Sequence, residues 1–203
     1  MERPRGRFDA GDGKTCAFPG FECYFAGNNM NNKNRLLKED YFYKKIKSPL
    51  CDLILVASDK GLKLALFDPG NDEWKGAYPG VRRSYFHSIL NKAERQLNEY
   101  FCRKRTEFDL PVDFEGTDFQ IKVWMSLLKI PYGHTICYSE QARMIGDVRK
   151  ARAVGMANGK NPISIIVPCH RVIGKNGSLT GFTGGLEKKA FLLAFEQKTL
   201  LSS

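Results

Sequence analysis

The polarity pattern changes character near residue 50. LCDLILVAS, residues 50–58, is a nearly continuous apolar run and predicts a buried strand. LKLALFD, residues 62–68, alternates and predicts a second strand. The SDKG between them has turn chemistry, so the pair predicts a hairpin. Residues 70–80 read as a loop. Phe86, Ile89, Leu90, Ala93, Leu97 and Phe101 then fall at helical spacing and predict an amphipathic helix over 84–102. Arg103, Lys104 and Arg105 follow it, where the helix dipole favours cations; that cluster reads as a cap rather than a binding patch. Strands and helix together predict a small α+β unit ending near FDLPVDF.

A second unit opens at Thr117, which has the capping-box spacing to Gln120. Phe119, Val123, Trp124, Leu127 and Leu128 give the apolar face of the helix behind it, and Pro131 and Gly133 stop it. Ser139 is placed to cap a short helix through Ile145, Gly146 turns the chain, and a second helix is expected over 148–158. Two short helices around a glycine turn predict a helix-turn-helix. ISIIV, residues 163–167, reads as a short strand leading into Pro168, Cys169 and His170. A last helix over 186–197 carries Leu186, Ala190, Leu193 and Ala194. Residues 1–40 are rich in Gly, Asn, Lys and Arg and have no period, which predicts a poorly ordered extension. The expected division is therefore 1–40, an α+β domain over 41–113 and a mainly helical domain over 114–203.

Composition narrows the partner. Lys and Arg outnumber Asp and Glu by 32 to 22, a formal charge of +10 over 203 residues. That suits a polyanion such as nucleic acid, though charge alone is equally consistent with solubility. Six cysteines without a close zinc-type pair predict reduced thiols in a cytosolic or nuclear compartment. Arg3, Arg5 and Arg7 have no apolar run behind them, so no secretory signal is read there. No stretch approaches the length of a membrane span. A soluble intracellular monomer without membrane contact is expected.

Cys169 is the residue with chemistry around it. It follows an apolar run and precedes His170 and Arg171. A neighbouring base or positive charge turns a thiol into a nucleophile. Adjacent strand residues face opposite ways, so His170 can serve Cys169 only if the chain bends there or a water bridges them. The residues alone leave two readings, a nucleophile or a buried core thiol. Arg149 and Arg152 lie three apart on the predicted second helix, among small residues Ala151, Ala153, Gly155 and Ala157. Arg143, Lys150 and Lys160 add charge nearby. Such a helix suits phosphate and groove contact, or is simply a solvated face.

RAVGMANGKNP (152–162) followed by IIVPCHRVIG (165–174) resembles the signature of the O6-alkylguanine-DNA alkyltransferases. The resemblance runs without a gap from about residue 118 to 196, and over 41–113 it is one of topology. It implies a ribonuclease-H-like N-terminal domain and a winged-helix-like C-terminal domain. It also implies irreversible transfer of an alkyl group from O6 of guanine, and from O4 of thymine, in double-stranded DNA to Cys169. By that resemblance His170 acts as base through a water, with Glu196 behind it. Asn161 is the hinge between the helix-turn-helix and the active-site segment. Tyr138 strains the target phosphate and protonates guanine N3. Arg152 fills the place of the flipped base, and Arg149, Lys160 and Arg171 meet DNA. Val172, Phe182, Thr183 and Gly184 line the base pocket. No cofactor and no metal are implied.

Phe182 departs from the pattern, because some members carry Tyr there. Cys16, Cys23 and His87 match no zinc-binding set. The acceptor is Cys rather than the Trp of non-repairing relatives. Two rivals are a damage sensor that flips bases without chemistry, and a cysteine hydrolase using Cys169 and His170, which would need turnover and an oxyanion site.

Overall fold

The computed structural model describes residues 39–200, with side chains through residue 198. The expectations about residues 1–38, including Cys16 and Cys23, lie outside the described residues.

The N-terminal unit is built on strands β1 (Phe42–Ile46), β2 (Leu53–Ala57), β3 (Leu62–Phe67) and the short β4 (Arg82–Arg83), in the order β3-β2-β1-β4. The β2–β3 hairpin and β1–β2 are antiparallel, and β4 joins β1 in parallel. β2 and β3 are buried throughout because the sheet is covered on both faces. Leu53, Leu55 and Ala57 belong to the main core, which includes Leu90, Ala93, Leu97 and Tyr100 of helix α1 (Ser88–Phe101). Ile54, Val56, Leu64 and Leu66 face the other way, under Trp74 and Tyr78. Those two aromatics come from the segment expected to be loop, where Glu73–Ala77 is a short 3-10 helix. Lys63 is buried within β3 and is compensated by Asp113 at 3.0 Å and Glu39 at 3.4 Å.

β1 is a strand that the polarity pattern did not mark. Lys44 and Lys45 interrupt its apolar positions. Their charges are met by Glu94 and Asp68, so the strand sits between two neighbours without stranding an ammonium.

The C-terminal unit begins with α2 (Asp118–Leu127), capped by the Thr117–Gln120 capping box. That reciprocal pair satisfies two otherwise unpaired amides and stabilises the helix start by about 1 kcal/mol. α3 (Tyr138–Met144) and α4 (Ala151–Asn158) form the helix-turn-helix. α3 is capped by Cys137 and Glu140, so its N-cap is Cys137 and not Ser139. Val148–Lys150 is a 3-10 turn, so Arg149 precedes α4 and is not on the same helix as Arg152. The Trp124 indole donates to the Ala157 carbonyl at 2.9 Å, and Gln141 and Asn158 exchange hydrogen bonds; these ties lock α2, α3 and α4 together.

Residues 163–167 correct the expected strand. They make one parallel bridge, Ile163 to Ala65 of β3, and otherwise turn. Ala65 N–H donates to Pro162 and Ser164 N–H donates to Ala65, so this segment is stitched to the sheet edge of the N-terminal unit. Ile165 has φ 71°, a left-handed conformation that a β-branched side chain adopts only when its surroundings enforce it. The short β5 (Ile136–Cys137) and β6 (Val172–Ile173) pair in parallel, and α5 (Leu186–Leu200) closes the unit. Among the described residues no helix is long and apolar enough to cross a membrane.

Candidate active site

The chain bends at the cysteine. Cys169–Arg171 form a 3-10 turn rather than a strand end. The strand alternation that would separate Cys169 from His170 therefore does not apply. Asn161 fixes the approach to this turn. Its side-chain amide donates to the Val167 carbonyl at 2.8 Å and to the Cys169 sulfur at 3.2 Å, while its carbonyl oxygen accepts from Ile163 N–H at 3.1 Å. One buried amide thus holds both sides of the strained segment around Ile165 and touches the thiol.

Behind the turn lies a fully buried polar cluster centred on Glu196 of α5. Glu196 makes five hydrogen bonds: from Tyr100 Oη, Gly133 N–H, His170 Nε2, and Arg171 Nε and Nη2, all between 2.8 and 3.0 Å. The third Arg171 contact is Nη1 to the Ile130 carbonyl at 2.7 Å. This overturns the expectation that Arg171 meets DNA. Its guanidinium is buried and spent on Glu196 and Ile130, with no face left for phosphate. Arg171 is a structural counter-charge.

The electrostatics follow from burial. Burial raises the Cys169 thiol above its ordinary value, opposed by the Asn161 hydrogen bond, the Lys189 charge and the amides of Cys169 and His170. Burial lowers His170, opposed by Glu196 and assisted by the Arg171 and Lys189 charges. The resting pair is therefore neutral thiol and neutral imidazole. Burial pushes Glu196 up, but the hydrogen bonds and charges of His170 and Arg171 outweigh it and hold the carboxylate well below its ordinary range. With Nε2 bound to Glu196, His170 keeps Nδ1 as its other site; among the described residues this buried atom has no hydrogen-bond partner.

Tyr138 opens α3 and reaches across to the loop before α5, where its hydroxyl donates to the Thr180 carbonyl at 2.9 Å. Gly181 has φ 60°, and a Cβ there would come within 2.9 Å of the Tyr138 hydroxyl, so both backbone conformation and space call for glycine. Val172 and Phe182 are buried beside this loop, and the Thr183 hydroxyl bonds the Gly159 carbonyl at the end of α4. Gly184 is buried against Phe182 and Phe67. Arg152 and Lys160 are exposed on and just beyond α4. Arg149 is also exposed, but it is bonded to Asp147 at 3.0 Å. Among the described residues no group of three or more His, Cys, Asp or Glu could hold a metal.

Two residues of this site escaped the sequence reading. Tyr100 was not among the positions read on its helix; the clue is that a buried hydroxyl needs a partner. Lys189 lies seven residues before Glu196, on the same face of α5, yet the apolar positions expected there were Leu186, Ala190, Leu193 and Ala194. Leu186, Ala190 and Ala194 are in fact exposed, and the inward face is Lys188, Lys189, Leu192 and Glu196. That face is set by polar partners, so hydrophobic spacing misplaces it.

Among the described residues one thiol, Cys169, is buried, set between a ribonuclease-like sheet and a helix-turn-helix. The ribonuclease-like domain of 6-O-methylguanine DNA methyltransferase matches residues 41–114, and the DNA-binding domain of the same family matches residues 118–198. The chain belongs to the 6-O-methylguanine DNA methyltransferase family. A methylated-DNA–protein-cysteine methyltransferase of Methanosarcina barkeri is 45% identical over 159 residues, covering 78% of this chain and 99% of the relative. The crystal structure of the Mycobacterium tuberculosis O6-methylguanine methyltransferase is 43% identical, covers 78% of this chain and 94% of its own, and superposes with a TM-score of 0.71. The M. tuberculosis protein in complex with DNA matches with a TM-score of 0.70.

Proposed function

We propose that the chain repairs DNA by direct reversal, moving the alkyl group of O6-alkylguanine onto Cys169 once per molecule. The family, its relatives' activity and a relative's structure with DNA support the reaction and the partner. The observation that carries the assignment to Cys169 is its place in the turn, touched by the Asn161 amide and followed directly by the His170–Glu196 pair.

O6 of guanine is inaccessible inside a duplex, so the nucleotide must leave the stack. Arg152, exposed on α4, fills the vacated place, while Lys160 meets phosphate. The flipped base then lies between Tyr138 and the loop of Phe182, Thr183 and Gly184. His170 takes the thiol proton through a water. The sulfur attacks the alkyl carbon, a C–S bond forms, and the C–O6 bond breaks with its electron pair passing to guanine. Tyr138 supplies a proton to guanine N3, so the leaving base departs neutral, and it regains one from the imidazolium side through solvent. The net change moves the thiol hydrogen to guanine and the alkyl group to sulfur. Among the described residues no group in the site is placed to cleave the thioether, so no turnover follows. O4-alkylthymine presents the same alkyl–oxygen bond and is the expected second substrate.

The test is to react the protein with labelled O6-methylguanine DNA, digest it and locate the label. Label is expected on the Cys169 peptide, at no more than one methyl per molecule. Cys169→Ser should abolish transfer and keep duplex binding, because thiol and basic helix are separate. Label on Cys137 or Cys102, or sustained turnover, would overturn the assignment.

A further inference from the structure

Lys189 is a fully buried lysine with no role in the scheme above. Its ammonium donates to the Val172 and Thr180 carbonyls, each at 2.6 Å, and to no carboxylate among the described residues. A buried cation normally carries a counter-anion, because carbonyl dipoles replace water only in part. Two observations show what this one faces. The Thr180 carbonyl that accepts from Lys189 also accepts from the Tyr138 hydroxyl at 2.9 Å, and the ammonium lies 5.8 Å from the centre of the Tyr138 ring. The other carbonyl belongs to Val172, which ends the turn bearing Cys169. The ammonium thus joins the loop before α5, Tyr138 of α3 and the thiol-bearing turn.

We propose that Lys189 is a positioning residue for the transfer: it holds Tyr138 through their shared carbonyl and supplies the positive charge against which the Cys169 thiolate forms. This rests on Cys169 being the alkyl acceptor. The titratable groups facing the ammonium are Cys169 and His170 on the turn and Tyr138 on α3. Arg171 is turned away onto Glu196. Burial lowers Lys189 to about 8, and the Cys169 charge opposes that fall. The same coupling lowers Cys169 against its burial. The two groups therefore stabilise each other's charged forms, and such coupling is reciprocal.

Reciprocity gives a test on the unaltered protein. Lys189 is followed by carbon-13 NMR of labelled lysine across pH, before and after Cys169 is capped by iodoacetamide as a neutral thioether. Capping should move the Lys189 midpoint to lower pH, since it removes the group whose ionisation favours the ammonium. In parallel, the rate of Cys169 capping against pH, read on its peptide without DNA, is compared for wild type and Lys189→Met. The midpoint should move to higher pH in the variant, and reaction with free O6-benzylguanine at neutral pH should slow about tenfold, the change expected per pH unit of thiolate midpoint. Lys189→Arg should restore part of the rate if it folds. A Lys189 midpoint unmoved by capping overturns the proposal even if Lys189→Met fails to fold, as does an unmoved thiolate midpoint in a folded variant. If wild type does not transfer from O6-benzylguanine to Cys169 at all, the acceptor assignment fails instead.

Discussion

Glu196 gathers Tyr100, Gly133, His170 and Arg171 around one buried carboxylate. It neutralises Arg171, orients His170 and accepts from Tyr100, a residue of the N-terminal unit. Because these partners hold its pKa below the ordinary carboxylate value of 4.5, its contribution to stability is complete above that value and is lost as pH falls through the lower, folded one. Glu196→Gln should remove this dependence and leave Arg171 unpaired, costing about 3–5 kcal/mol at neutral pH. Urea unfolding at a series of pH values reads both effects. The two proteins should converge on acidification below about pH 4.5, as the wild type loses what the variant already lacks. Curves that stay parallel would show that Glu196 does not carry the acid sensitivity. The variant should also slow transfer from the free base, since the imidazole loses its orienting partner.

At the scale of elements, the hairpin, the Thr117 cap and the helix-turn-helix were legible, while the cap of α3 and polar burial were not. The β2–β3 hairpin, the Thr117 capping box and the helix-turn-helix follow from local signals that need no distant partner. β1 was hidden because Lys44 and Lys45 break its pattern and find anions only after folding. The run 163–167 looked like a strand because it is apolar, but it is apolar in order to be buried while it turns. The residues gathered around Cys169 were named from the PCHRV resemblance, which cannot distinguish a buried arginine from a DNA contact; Arg171, placed on DNA by it, is buried. α4 and the residues just after it test a division of labour. Arg152→Ala should strongly slow repair of duplex DNA and hardly change reaction with free O6-benzylguanine, which needs no flipping. Lys160→Ala should mainly weaken duplex affinity and reduce its salt dependence by about one unit of slope. A mismatch opposite the lesion lowers an unstacking cost on the order of a few kcal/mol, so it should rescue Arg152→Ala more than Lys160→Ala. Single-turnover rates on free base, matched duplex and mismatched duplex separate the two. Equal slowing of the free base by Arg152→Ala would place that residue in the fold rather than in the stack.

Across the whole molecule, the N-terminal sheet works as the back wall of the site. Phe67 at the end of β3 packs edge-on against Phe182, with ring centres 6.3 Å apart, and lies under the Lys188 ammonium. A Cβ on Gly184 would come within 2.8 Å of the Phe67 ring, so the loop proposed to receive the flipped base rests directly on this side chain. Leu64 is on the same strand and equally buried, but it faces Trp74 and Tyr78 on the opposite side of the sheet. The two residues separate support of the site from stability of the fold. Phe67→Ala should cost about 3–5 kcal/mol and Leu64→Ala about 2–5 kcal/mol, through lost burial and the cavity left behind. At a temperature where both variants remain folded, only Phe67→Ala should slow transfer from free O6-benzylguanine, because only it releases the loop carrying Phe182, Thr183 and Gly184. Urea unfolding gives the stabilities and a single-turnover assay gives the rates. If Leu64→Ala slows the reaction as much as Phe67→Ala does, the effect is one of general destabilisation, and the sheet does not shape the pocket through Phe67.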